Sequence, residues 1–156
     1  LLIQQPDQWD ILKSDPDRYL PVLVEEILRL EGPVQGLFRE TAEDIELHGV
    51  AIPKGSVINV RYAAANLDDT MFETPEKLNL ERENSRQHLA FGFGTHYCMG
   101  APLARREILL SFKVLLERID EMWFLDGLND FRHHPNFCLR ALRELHIGFT
   151  RCKPSV

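Results

Sequence analysis

Cysteine is scarce in this chain. The three residues Cys98, Cys138 and Cys152 are an odd number without a disulfide-rich spacing. That excludes a disulfide-stapled scaffold and fits a reducing, cytoplasmic compartment. No run of Lys and Arg occurs, and the formal charge is −6 at pH 7. Such a surface repels a polyanion, so no nucleic-acid partner is expected. Long apolar runs are missing as well. The best candidate, within "EILLSFKVLLERI", is interrupted by Lys113, and no membrane-spanning segment is expected. The pattern of a secretory leader is absent. So are repeats, low-complexity segments and linker-like stretches. With 156 residues, 44% hydrophobic and 27% charged, the economical expectation is one domain over 1–156 with a real core. The chain opens at Leu1, inside the apolar stretch "LLIQQPDQW", and is expected to be a piece of something longer.

What is present has a mixed texture. Residues 6–13 carry a helical pattern that Ser14, Asp15 and Pro16 break. "YLPVLVEEILRL" reads as a strong helix, with Pro21 in its first turn, Val24, Ile27 and Leu28 apolar, and Gly32 and Pro33 as its stop. Over 36–60, apolar residues such as Ile45 and Leu47 alternate with polar ones. Turn signals at His48-Gly49 and Pro53-Lys54-Gly55 indicate two or three short antiparallel strands. "RYAAANL" reads as a short helix. The polar stretch "DDTMFETPEKLNLERENSRQ" is long for a loop, which in a compact domain suggests a functional meander. A helix over about 101–119 and short strands in the tail complete a mainly α chain with small antiparallel β-sheets.

The most informative stretch is "FGFGTHYCMG", residues 91–100. Gly92, Gly94 and Gly100 can take backbone angles other residues avoid, and let the main chain approach a bulky partner closely. Phe91 and Phe93 would supply an apolar wall. Cys98 lies just before a helix with Pro102 in its first turn, and the positive end of a helix stabilises a thiolate. Together these describe a shielded thiolate presented to something large and flat. Three other readings of the thiol stay open on these grounds. A lone cysteine is often only a small buried hydrophobe. A nucleophile activated by the helix start is conceivable, although His96 stands only two residues away with no third group to orient it. A zinc site would need a second Cys/His pair at ligand spacing, and none is present.

The full string resembles the haem-binding loop of the cytochrome P-450 family, Phe-x-x-Gly-x-x-x-Cys-x-Gly. Phe91, Gly94, Cys98 and Gly100 match every fixed position. The resemblance implies haem b as cofactor, with Cys98 as the axial ligand of its iron and Phe91, Gly92, Gly94 and Gly100 shaping the loop around it. It extends in order along essentially the whole chain. Glu26 and Arg29 in "EEILR" resemble the family's Glu-x-x-Arg helix. By spacing alone they form an i,i+3 pair that would more often sit in solvent. The resemblance gives them a structural role instead, with Arg82 of the meander completing a charge network beneath the haem loop. Arg39 in "LFRET" matches an arginine that grips a haem propionate, for which its fork is suited. The alternative is a strand-edge arginine in solvent. His96 matches a second propionate donor, whereas His88 is read as only preceding the loop. Val34, Gln35 and Phe137, with Cys138 beside it, fall in segments that contact substrate in the family. Met99 stands where leucine is commoner.

The implied parent is a haem-thiolate monooxygenase, most like soluble bacterial members, that inserts one oxygen atom of O₂ into an organic, apolar substrate. Electrons would come from a small ferredoxin-like protein docking near Arg105 and Arg106, which read equally well as a solvated helix face. The family's long central helix, with its acid–alcohol pair and the distal wall, is expected before residue 1. A fragment without it is expected to lack turnover. It would leave "LLI" and the helix over 21–30 partly uncovered, and so self-associate. The alternative function is a non-catalytic module.

Overall fold

The computed structural model describes residues 1–152. A short 3₁₀ turn, Leu2–Gln4, leads into α1 (Pro6–Ser14) and α2 (Pro16–Glu31). The Asp15 side chain caps α2 by accepting from the Arg18 N–H, and Pro16 occupies the first turn, where its missing donor costs nothing. The helix therefore starts earlier than the sequence suggested, and Pro21 lies in its interior. It persists past that proline because one face is deeply buried. Tyr19, Leu20, Leu23, Val24 and Leu28 all point inward, and Leu23 has no solvent exposure. Packing of an amphipathic face outweighs local propensity here.

Four short strands follow: β1 (Leu37–Glu40), β2 (Ile45–Leu47), β3 (Val50–Ile52) and β4 (Val57–Val60). β1 pairs antiparallel with β4, and β2 with β3, as two separate hairpin-like sheets. This is one strand more than the upper expectation. The turn between β2 and β3 is His48-Gly49, both with positive φ, as a two-residue hairpin connection demands. After a short helix α3 (Tyr62–Ala65) the chain runs without α-helix or strand to α4 (Ala101–Arg118), then β5 (Ile119–Phe124) and β6 (Ile147–Arg151), which pair antiparallel. The resulting mixture, helices with small antiparallel sheets, matches the expected class.

The core lies between α1, α2 and the meander. Leu2, Trp9, Leu12, Tyr19, Leu20, Leu23, Leu78 and Leu80 form one buried cluster, and Phe112, Leu116 and Met122 pack on it from α4 and β5. The Trp9 indole donates to the Asp120 carbonyl at 2.8 Å, tying α1 to β5. The expected exposure of "LLI" and α2 is thus not seen: α1, the meander and α4 cover them. Exposed apolar residues appear instead on α4 at Leu103, Leu110 and Val114.

The meander stays ordered without regular structure because guanidinium groups take up its carbonyls. Arg29 donates to the carbonyls of Asn66, Pro75 and Lys77 at 2.9, 2.6 and 3.2 Å. Arg82 donates to the Glu73 carbonyl at 2.9 Å. Phe72, 1% exposed, lies under both guanidinium groups, 5.0 Å from Arg29 and 5.9 Å from Arg82.

Candidate functional site

The loop between the meander and α4 closes on itself. The Cys98 N–H donates to the Phe91 carbonyl at 3.0 Å, and inside that closure Tyr97 N–H donates to Gly94 and Gly92 N–H to Leu89. Gly92 and Gly94 have φ of +73° and +75°, angles at which a side chain would be strained by about 1–2 kcal/mol. Gly100 differs from expectation: its φ is −81°. A Cβ there would meet the Cys98 sulfur at 3.7 Å, an ordinary contact, so neither backbone angle nor space accounts for this glycine.

Cys98 is exposed rather than shielded. Its sulfur stands at a cleft of about 410 Å³ between α2, α4 and the loop, lined by apolar groups of Leu28, Val34, Leu37, Phe91 and Ile108. A larger cleft of about 540 Å³, between α4 and β6, contains no residue of the loop. Phe91 contributes to the wall as expected, but Phe93 does not. It is 87% exposed, turned outward between the two left-handed glycines. His96 lines the same cleft, and its ring makes no hydrogen bond among the described residues.

Glu26, Arg29 and Arg82 come together in the interior. Arg29 donates to both Glu26 oxygens, at 2.6 and 3.0 Å, and neither side chain has any solvent exposure. Arg82 Nε lies 3.1 Å from Glu26 Oε1 but is not aligned for a hydrogen bond, so it acts as a charge neighbour. The Asn79 N–H adds a donor at 3.1 Å. The Glu26 carboxylate thus receives two bonds from Arg29 and one from the Asn79 N–H, which compensates the burial of its charge.

Sequence reasoning missed a second network built on the adjacent Glu25. Its carboxylate, also buried, accepts from the Arg105 guanidinium at 2.9 and 3.0 Å and from His88 Nε2 at 3.0 Å. His88 Nδ1 accepts from the Ala90 N–H, which leaves the ring proton on Nε2. Burial pushes the Glu25 carboxyl up, but the hydrogen bonds from His88 and Arg105 push it down further and hold it below the usual range. Arg105 is therefore engaged inside the fold, not free for docking as first read, while Arg106 is exposed. His88 does more than precede the loop. The doublet "EE" was the visible signal. Neighbours on a helix point about 100° apart, so the two carboxylates serve different layers, and which partners each finds is a matter of tertiary contact.

A sequence model of the family described as "Cytochrome P450" matches residues 5–121. The chain belongs to the cytochrome P450 family. The steroid C26-monooxygenase of Mycobacterium tuberculosis is 36% identical over 153 residues, which cover 98% of this chain and 41% of that protein. Cytochrome P450 CYP107DY1 of Priestia megaterium is 40% identical over 148 residues, 95% of this chain and 35% of its own length. Among solved structures, P450BioI in complex with an acyl carrier protein ligated to hexadec-9Z-enoic acid superposes with a TM-score of 0.87 at 36% identity, covering 96% of this chain and 38% of that one. The chain thus spans well under half the length of these P450 relatives.

Membership of the P450 family implies haem. The residues at the cleft fit that group: a thiol at the rim of an apolar lining, left-handed glycines that keep the loop backbone bare, and a histidine ring in the wall. Arg39 is exposed on β1, donates to the Phe38 carbonyl at 2.8 Å, and pairs with no carboxylate among the described residues. The two segments read as substrate contacts also meet. Gln35 N–H donates to the Cys138 carbonyl at 2.7 Å, and Val34 bridges to Leu139. Val34 and Gln35 are half-buried, while Phe137 is 87% exposed. No helix among the described residues is long and apolar enough to cross a membrane.

Proposed function

We propose that this chain is the haem-binding part of a P450 monooxygenase that converts an apolar organic substrate R–H, with O₂, two electrons and two protons, into R–OH and water. The observation that carries the reading is the exposed Cys98 thiol at the apolar cleft, just ahead of α4. Bound haem would supply oxygen binding and O–O cleavage, which thiolate ligation favours. Cys98 would hold the iron. The cofactor would be haem b, held without covalent thioether bonds, since no C-x-x-C-H run occurs. Arg39 and His96 would take the propionates, and Phe91 would cover the thiolate side and exclude water.

Val34, Gln35 and Phe137 would meet the substrate. Their largely apolar character agrees with the steroid and the hexadecenoic acid in the names of the relative and the solved complex. A small ferredoxin-like donor would dock on the side where α4 begins, with Arg106 rather than Arg105 as its free cation. The test is the ferrous carbon monoxide spectrum of the haem-loaded protein. Cys98→Ser should lose the red-shifted thiolate Soret band and Cys138→Ser should keep it. A Cys98→Ser protein that retains the band overturns the reading.

A second reading is favoured by α4, where Leu103, Leu110 and Val114 are exposed seven and four residues apart along one helix. On that reading the chain folds and self-associates without turnover. A purified chain that shows no thiolate band with haem supplied, and a dimer mass by light scattering, would select it.

A further inference from the structure

The Glu25 network joins three parts of the molecule that carry the thiol. Glu25 is on α2, Arg105 on α4, and His88 at the entry to the loop. The Arg105 side chain bonds Glu25 through Nε and Nη2, which leaves Nη1 to donate to the Tyr97 hydroxyl at 3.0 Å. Its guanidinium also lies 4.7 Å from the Phe91 ring centroid. Tyr97 precedes Cys98, and Phe91 accepts the Cys98 N–H. At the other end, His88 packs 6.0 Å from Phe91, which meets Tyr97 edge-on at 6.2 Å. Both ends of the closed loop therefore rest on groups that one carboxylate fixes. The Glu25 side chain is 4% exposed and that of Arg105 30%, so the carboxylate end of the clamp lies out of water, where charge-assisted bonds are strong, while its Tyr97 end is exposed.

We infer that Glu25 is a positioning residue for Cys98: through Arg105 and His88 it holds both ends of the 91–98 loop, whereas the Glu26 network holds the meander and reaches the loop entry at Leu89 through Asn66. Its role toward haem rests on the functional reading above, while its hold on the loop does not. Arginine rather than lysine is required at 105, because only a planar fork can bond Glu25 twice, reach Tyr97 and stack on Phe91 together. Glu25 also balances the Arg105 charge beside the loop, so neutralising it makes the surroundings of Cys98 more positive.

Amide hydrogen exchange on the full chain separates this role from general support of the core. Glu25→Gln should exchange the 89–98 segment roughly tenfold faster or more, with the 68–84 segment unchanged. Tyr97→Phe, at a half-exposed side chain that cannot unfold the protein, should speed the same segment by a smaller factor at constant melting temperature. Arg105→Lys should resemble Glu25→Gln rather than wild type. If the loop and the meander accelerate together in Glu25→Gln, and Tyr97→Phe exchanges as wild type, Glu25 is merely part of the core and the inference fails. With haem loaded, Glu25→Gln should shift the iron's reduction potential to a more positive value; an unchanged potential refutes the charge-balancing part. A wild type without the thiolate band would overturn the functional reading, while the exchange data would still decide the hold on the loop.

Discussion

Arg29→Ala removes the most heavily bonded side chain of the interior. Its guanidinium makes two bonds to Glu26 and one each to the carbonyls of Asn66, Pro75 and Lys77. Truncation leaves three acceptors without this donor and a cavity beside Phe72. Glu26 is not stranded, because Arg82 remains 3.1 Å away and the Asn79 N–H still donates. The cost therefore belongs to the usual range for breaking a buried pair, about 3–5 kcal/mol, and not to the sum of five separate bonds. For a chain of this size that corresponds to a fall in melting temperature of roughly 6–20 °C. Glu26→Ala should cost more, since it leaves the Arg29 and Arg82 guanidinium groups facing each other without a counter-charge. Thermal melts followed by circular dichroism, with haem retention measured on the same samples, give both quantities. Soluble yield and haem content should drop together. An Arg29→Ala protein with unchanged melting temperature and full haem occupancy, but slower turnover, would refute the structural assignment.

Further outcomes follow from the same geometry. The Glu25 carboxyl titrates below its ordinary value in the folded state. Its ionised form therefore stabilises the fold fully above the unfolded pKa of about 4.3, and that contribution is lost as pH falls through the lower folded value. The urea-midpoint gap between wild type and Glu25→Gln should be constant from neutral pH down to about 5 and should narrow progressively below about 4; a gap that widens in acid would contradict the depressed pKa. Arg39→Ala should weaken haem binding by about tenfold, the worth of a charge-assisted hydrogen bond, in a haem-transfer titration, with the melting temperature of the haem-free protein unchanged. Leu110→Glu on the exposed stripe of α4 should convert any self-associated form to monomer by light scattering; persistence of the dimer would place the contact elsewhere.

The sequence by itself determined the local elements and the thiol. Apolar periodicity marked α2 and α4, and the turn glycines marked the β2–β3 hairpin. The spacing from Phe91 to Gly100 marked the loop, because two of its glycines, Gly92 and Gly94, sit at backbone angles that side chains avoid. What it could not carry were the choices made by long-range contact. The start of α2 moved to Pro16 because the Asp15 cap and the burial of Tyr19 and Leu20 outweighed an interior proline. The apolar start of the chain was covered because the Leu78 and Leu80 side chains, far along the sequence, fold back over α1. Glu25 and Glu26 are indistinguishable as letters. Their 100° separation on the helix sends one to the meander and the other to α4 and the loop, and only the packing of those elements around α2 decides which guanidinium each one meets.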